Sequence, residues 1–454
     1  MASTYLTRTP SSAGNRKTWT WSAWIKKSTI AVAPAVTLFG AKDGGYPEIL
    51  YFASDDTLVW QHDIAGSDYL LTISNKVFRD TNAWYHIVLT KDTTQSTETN
   101  RVKIYINGEQ QTLTESQLGF PGQNYEGAVN NNVTHTIGNW QGNSYYFNGS
   151  MSHIHFIDGT AYDASAFGEY DANGVWKIKT SPSVTYGTNG FFILKNGNSV
   201  TDQSGEGNDF TVGGGTLTNT EDNPSNVFAT LNTTLPMNST MTISNGNLTG
   251  STGSTYGNLV SNSWISNFGM SKGKWYAEFK LVTAGDGGVL GICHNLSAQQ
   301  QGSSGDAYNF CFRMVDGWGY SINGGYAHAT TQGTLVSTIA YGDTYTANDI
   351  IGIAVDMDNN KLYFSKNGVW QNSGDPTSGA TGTGALSITA NETYHFAFSD
   401  ASGGGVSTYS CNFGNGYFGT TAVSSAGTNA SGIGIFEYDV PTGYTALSTK
   451  GLNL

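Results

Sequence analysis

Two carboxylate pairs are the first residues to weigh. Glu169-Tyr170-Asp171 and Glu437-Tyr438-Asp439 each place two acids two positions apart, so on an extended chain both carboxyls share a face. Hydrolysis of a glycosidic bond needs two carboxyl groups flanking it, and a strand-borne Glu-x-Asp-x-x-Glu would supply them. Gly174 and Thr442 stand where the third acid belongs. Both pairs therefore read as strand-edge or turn acids. His153 and His155 also lie two apart and could chelate a metal, but no acidic or cysteine partner is evident for them, which favours a structural role. No Gly-x-Ser-x-Gly elbow, phosphate loop or His-Glu-x-x-His helix is present. The expectation is a protein that is not an enzyme.

Binding chemistry has better candidates. Trp140-Gln141-Gly142-Asn143-Ser144-Tyr145-Tyr146 and Trp318-Gly319-Tyr320-Ser321-Ile322-Asn323-Gly324-Gly325-Tyr326 combine rings, amides and glycines. Such rings stack on sugar faces while amides read hydroxyls. Trp140, Tyr145, Tyr146, Trp318, Tyr320, Asn323 and Tyr326 are the candidate ligand residues. The competing reading is aromatic turns that plug the ends of a sandwich. Trp19, Trp21, Trp84, Trp275 and Phe364 sit on alternating strand positions and are expected in cores.

The elements that must position these residues are strands. In Asp349–Trp370, Ile351, Ile353, Val355 and Met357 share one face of an extended chain, with Gly352, Ala354 and Asp356 on the other. Asp358-Asn359-Asn360 supplies a turn, Leu362 and Phe364 share the next strand's inner face, and Asn367-Gly368 is a strong hairpin signal. The pattern predicts a meander with one buried face. Upstream, Thr18–Ile25, Val36–Phe39, Glu48–Phe52, Thr57–Gln61, Trp84–Thr90 and Arg101–Ile106 recur at short intervals with turns between them. No stretch of ten residues carries a helical stripe.

At 454 residues the chain exceeds a single core. With 58 glycines, 12% charged residues and 13% aromatics it reads as folded rather than disordered. The expected fold is all-β: two β-sandwich, jelly-roll-like domains in tandem. Residues 1–180 form the first, 181–235 a connector with one or two short strands and a flexible Gly213–Gly215, 236–420 the second, and 421–454 a C-terminal loop and closing strand. A formal charge of −13 disfavours nucleic acid as a partner. No apolar run suffices for membrane insertion, and the first residues have no signal-peptide core, so folding in a cytoplasm is expected. Three cysteines, Cys293, Cys311 and Cys411, are expected as buried small residues.

The Asp-x-x-Gly strand at 349–352, the Asp-rich turn, Lys361-Leu362-Tyr363-Phe364 and Asn367-Gly368 resemble the central hairpin of SPRY domains. Gly273-Lys274-Trp275-Tyr276-Ala277-Glu278-Phe279 and Gly317-Trp318-Gly319-Tyr320 resemble two more of their strands, so the resemblance covers roughly residues 236–420 and implies a binding sandwich. Thr18–Ile25, Trp84–Thr90 with Arg101–Gly108, Ile137-Gly138 and Phe147–Phe156 resemble the laminin-G-like, concanavalin-A-like jelly roll over residues 1–165. That likeness implies calcium, for which Asp43, Asp158 and Asp202 would be the acids. A longer series resembles structural proteins of tailed bacteriophages, marine ones in particular. It runs through Ile157-Asp158-Gly159, Phe167-Gly168-Glu169, Gly174-Val175-Trp176, Gly187–Phe192, Asp202–Gly205, Asp222–Asn232 and Pro441–Leu447. It implies a virion protein assembled in the host cytoplasm, a fibre or appendage component attaching to host-surface glycan or protein, with other virion proteins as partners and homo-oligomeric display compatible. A capsid-decorating or head-fibre protein is the structural alternative, and a polysaccharide hydrolase the enzymatic one.

Overall fold

Strand Thr18–Lys27 shows how the first half is built. Alternation turns Trp19, Trp21, Ala23 and Ile25 inward, where they join Phe39, Leu50 and Phe52 in one core. Trp21 stacks on Phe39 at a centroid distance of 5.7 Å. The computed structural model describes residues 3–453 apart from 31–34, 65–66, 74–75, 118, 141–144, 196, 198, 235–239, 254–262, 286, 295–311, 313–315, 332–333 and 401–404. Within them the chain divides into two compact units, Met1–Asn219 with Asn223–Ser225, and Thr220–Asp222 with Asn226–Leu454. None of the described helices is long and apolar enough to cross a membrane.

The first unit is a sandwich of antiparallel sheets. One has eight strands in the order Leu113–Gln117, Ser67–Ile73, Leu58–Ile64, Tyr46–Phe52, Val36–Asp43, His135–Ile137, Tyr5–Arg8 and Thr211–Gly214. The other has six, in the order Phe191–Ile193, Gly149–Asp158, Thr18–Lys27, Tyr85–Asp92, Val102–Ile106 and Glu109–Gln110. Two short strands fall in the segment expected as a connector, and both join sheets of the first unit. Phe191–Ile193 is a strand on the edge of Gly149–Asp158, and Thr211–Gly214 pairs with Tyr5–Arg8. Gly213 is no flexible joint: a Cβ there would meet the Tyr5 ring at 2.3 Å.

The outer face of the six-stranded sheet is covered as well. Thr20 Oγ1 donates to the Thr160 carbonyl at 2.9 Å and Thr90 Oγ1 to that of Tyr162 at 2.6 Å. Val88 and Ile157 pack there against Ala164 and Phe167. Inside the sandwich, Lys91 Nζ and Glu48 Oε1 form a 2.6 Å ion pair with both side chains buried. The free Glu48 oxygen accepts the Val129 N–H at 2.8 Å.

The second unit repeats the plan. A nine-stranded sheet contains Lys274–Thr283, Ile350–Asp356 and Lys361–Lys366 side by side, and a six-stranded sheet contains Gly288–His294, Trp318–Ser321 and Tyr394–Asp400. In the central hairpin Ile353 faces Phe364 and Val355 faces Leu362, all in the core. Asn367 and Gly368 take φ of 48° and 82°, as a two-residue hairpin turn requires.

The single buried face expected of this hairpin is corrected to two. Ala354, Tyr276 and Tyr363 lie under Phe436, Val440, Tyr444 and Ala446. The segment after residue 420 is therefore a cover packed on the sheet, and Thr445–Ala446 adds to Lys274–Thr283 in parallel. The closing strand expected within 421–454 is Thr445–Ala446, while 435–440 is irregular. Ile435 makes one bridge to Asn415, and the Glu437 and Tyr438 N–H groups both donate to the Glu278 carboxylate at 2.8 Å. Cys293 and Cys411 are buried, as expected, and Cys311 lies outside the described residues.

Candidate functional site

The aromatic segments singled out by composition fall one in each unit. In the second unit Trp318, Tyr320 and Tyr326 fall on one face of paired strands, Tyr320 opposite Tyr326. That face is the core side: Tyr320 is fully buried, and Trp318 and Tyr326 pack half-buried against the same cluster. Tyr320 is thus corrected from ligand residue to core residue. Asn323 is exposed, but its Oδ1 accepts the Gly325 N–H at 3.2 Å and closes the turn. In the first unit Trp140 and Tyr145 come together at 5.3 Å between rings, and Tyr146 lies 6.0 Å from Tyr5. All three are half-buried, and the amides between them, 141–144, lie outside the described residues.

The acids proposed for calcium are engaged by N–H donors. Asp158 accepts from the backbone of Asn15 and Asn189 and the amide of Asn130, at 2.6–3.2 Å. Asp202 accepts from the backbone of Phe192, Ser204 and Asn208 and from the Ser204 hydroxyl. Asp43 accepts from Asn131 at 2.6 Å. Among the described residues no group of three His, Cys, Asp or Glu side chains could hold a metal. His153 and His155 are buried about Phe192, the His155 ring stacking on it at 3.9 Å. Asp171 accepts from the Asn173 and Val175 N–H groups, and Asp439 from Thr428. Asp171 thus fastens a turn, and Asp439 ties down chain eleven residues away.

A different aromatic group stands at the surface of the first unit. Its scaffold is the hairpin Gly168–Tyr170 with Trp176–Ile178, whose turn Asp171 caps and in which Tyr170 directly opposes Trp176. The two rings meet edge to face at 4.8 Å. Glycine is required beneath them: a Cβ at Gly108 or Gly168 would sit 2.5 or 2.4 Å from the indole. Trp176 Nε1 donates to His86 Nδ1 at 3.0 Å. Because an indole N–H can only donate, His86 is the neutral tautomer with its proton on Nε2, which donates to Ser22 Oγ at 2.9 Å. Burial holds the His86 pKa down at about 3, so this arrangement persists at neutral pH. Trp24 stacks on the same imidazole at 4.9 Å. A chain of buried groups thus fixes the indole from behind.

In front, Tyr170 is 51% exposed, with Val175 at 49% and Val77 at 47%. The Tyr170 hydroxyl donates to the Asn107 carbonyl at 3.2 Å, which tethers the far end of the ring. Two clefts flank it, of about 360 and 410 Å³, and both include Tyr170 and Trp176 in their walls. Sequence reasoning passed over this site because Glu169 and Asp171 drew attention as acids. The usable signal was the Asp-Ala-Asn-Gly turn between Tyr170 and Trp176, which sets the two rings opposite each other.

Comparison with known proteins agrees with the two sandwiches. Residues 2–165 match the concanavalin A-like lectin/glucanases superfamily, and residues 274–400 match the SPRY domain. A Ran-binding proteins 9/10 homolog of Drosophila melanogaster is 31% identical over 102 residues, covering 22% of this chain and 9% of the relative's length. The SPRY domain of human HERC1 aligns at 17% identity and a TM-score of 0.27, covering 38% of this chain and 91% of that one. A heptameric SAP-like pentraxin from Limulus polyphemus aligns at 17% identity and a TM-score of 0.26, covering 35% and 71%. The chain carries a laminin-G/concanavalin A-like domain in its N-terminal half and a SPRY domain in its C-terminal half.

Proposed function

We propose that this chain is a non-enzymatic adhesion protein of a bacteriophage virion, a fibre or appendage component that attaches to host-surface glycan or protein through the Tyr170–Trp176 ridge. The observation that carries the reading is the ridge itself: an exposed ring held rigid from behind, between two clefts, on a domain of a lectin-containing superfamily. Rigid aromatics bind at low entropic cost and dominate interface energetics. Glu169 is paired with Lys179, Asp171 caps a turn, and Glu437 and Asp439 accept from the Ser424 and Thr428 N–H groups, which supports binding without hydrolysis. The virion assignment is supported by the ordered motifs from Ile157 to Asn232 and their likeness to tailed-phage structural proteins.

The test is a pull-down of the purified protein by host cells, alongside labelled-antibody electron microscopy of intact particles. Tyr170→Ala should lower cell binding by about 1–3 kcal/mol, roughly fivefold to 150-fold, at unchanged melting temperature. Undiminished binding by the folded variant overturns the ridge as the adhesive surface. Label on the head rather than on a fibre or appendage would favour the decorating role.

A further inference from the structure

The clefts beside Tyr170 differ in wall but share a rim chemistry. In the first, Lys179 Nζ lies 3.8 Å from a Glu169 carboxylate oxygen and donates to the Ser165 carbonyl at 2.7 Å. In the second, Lys76 Nζ lies 3.9 Å from Glu109. Asp163, also lining the first, is committed to the Ser165 N–H and hydroxyl at 2.8 and 2.6 Å. Each rim is thus a paired cation and anion rather than a field of one sign. A ligand hydroxyl can accept from the ammonium and donate to the carboxylate of such a pair. An anionic or cationic group would satisfy one member and repel the other. The rims therefore favour an uncharged, polyhydroxylated ligand.

The walls supply the apolar half of that recognition. Tyr105 lines the first cleft, Val77 and Phe78 the second, and Tyr170 and Trp176 both. Each cleft lies near the lower end of the ligand-pocket range of roughly 300–1,000 Å³. Two small sites with like rims and a common aromatic wall suit a ligand that repeats. We propose that the clefts are consecutive subsites for one linear, uncharged polysaccharide, which crosses the surface over Tyr170. The inference rests on the adhesion reading above and narrows its ligand. The shared aromatic wall stands on the hairpin at 168–178, just past residues 2–165 that match the lectin/glucanase superfamily, while the rest of both cleft walls comes from within them.

The experiment is calorimetric titration of the full-length protein with neutral gluco-, manno- and galacto-oligosaccharides of one to six units, and with uronic-acid oligomers as charged probes. In at least one neutral series affinity should rise roughly tenfold or more between the single sugar and the tetramer, then level off. Tyr170→Ala should remove that gain. Glu109→Gln, on the rim of the second cleft, should weaken the longer members and spare the shortest. Affinity independent of length, tighter binding of the uronic-acid oligomers, or no binding in any neutral series overturns the inference. If host-cell binding still falls with Tyr170→Ala in that case, the ridge is adhesive toward protein. If it does not fall, the adhesion reading goes too.

Discussion

Phe364 lies against Tyr320 and Tyr341, with ring centroids 5.4 and 5.7 Å away, and has no exposed surface. Its neighbour Lys361 instead reaches outward to the Ser387 hydroxyl at 3.0 Å. Removing a ring from such a site loses both transfer energy and contacts around the hole. Phe364→Ala should cost the second unit about 3–5 kcal/mol, and Lys361→Ala well under 1 kcal/mol. Denaturant titration of the two variants checks the register, since equal small losses are incompatible with Phe364 facing inward. The Lys91–Glu48 pair calls for the opposite arithmetic. It bridges the two sheets of the first unit at 2.6 Å, with the ammonium 5.1 Å from the Tyr125 ring centre. Two buried charges cancel much of each other's desolvation, so the pair adds little net stability, but one left alone is costly. Glu48→Gln should destabilise the first unit by about 3–5 kcal/mol. Adding Lys91→Met should recover part of that loss. A double variant as unstable as the sum of the singles would show that the charges are not coupled.

At the scale of elements, both domains carry a layer that does not read as structure in the chain. The segment around Ala164 and Phe167 covers the six-stranded sheet of the first, and Phe436 to Ala446 covers the nine-stranded sheet of the second. Phe436 meets Tyr276 edge to face at 5.0 Å and is buried, although it lies in irregular chain. Phe436→Ala should therefore cost about 3–5 kcal/mol, as a core ring does. A loss near zero in chemical denaturation would mean the cover is loosely held. The hairpin beneath was legible because Ile351, Ile353, Val355, Leu362 and Phe364 keep period two. The cover was not, because Pro441 and Gly443 break the run that carries Phe436, Val440 and Tyr444, and because Gly352 and Ala354 look like a solvent face. Smallness there makes room: a Cβ at Gly352 would stand 2.7 Å from the Tyr276 hydroxyl oxygen. The candidate site was half legible in the same way. Tyr170 and Trp176 flank an Asp-Ala-Asn-Gly turn, a local signal, but the ring behind them, His86, is 84 residues from Tyr170 in sequence and joins only through pairing of distant strands.

For the whole molecule, the two units carry buried titratable groups of opposite sense. Burial is the leading cause in each case. In the first unit it lowers five imidazoles: His62 to about 2, His86 to about 3, His135 and His153 to about 4, and His155 well below its ordinary value. Unfolded, each takes up a proton near 6.5. The folded unit therefore binds fewer protons, and this stability is present above about pH 6.5 and lost as the pH falls toward the folded values. Each imidazole forfeits up to about 2 kcal/mol by pH 5, so five together rival the roughly 5–15 kcal/mol that holds a typical domain. In the second unit burial raises Glu278 to about 7, against the pull of the Glu437 and Tyr438 N–H groups. Its contribution is present below the unfolded value near 4.5 and is lost as the pH rises through 7. His395, lowered by burial, opposes it in part. Fragments 1–219 and 220–454 follow the division between the units, the second keeping the Glu221 and Asp222 contacts to Asn415 and Phe228. Each should unfold cooperatively by itself. Calorimetry from pH 7.5 to 5 should show the melting temperature of the first falling steeply while that of the second falls little or rises. Glu278→Gln should make the second fragment more acid-sensitive, by leaving His395 unopposed. Parallel pH profiles for the two fragments would mean that the buried imidazoles find protons in the folded state, and that the first sandwich opens to water where the structure closes it.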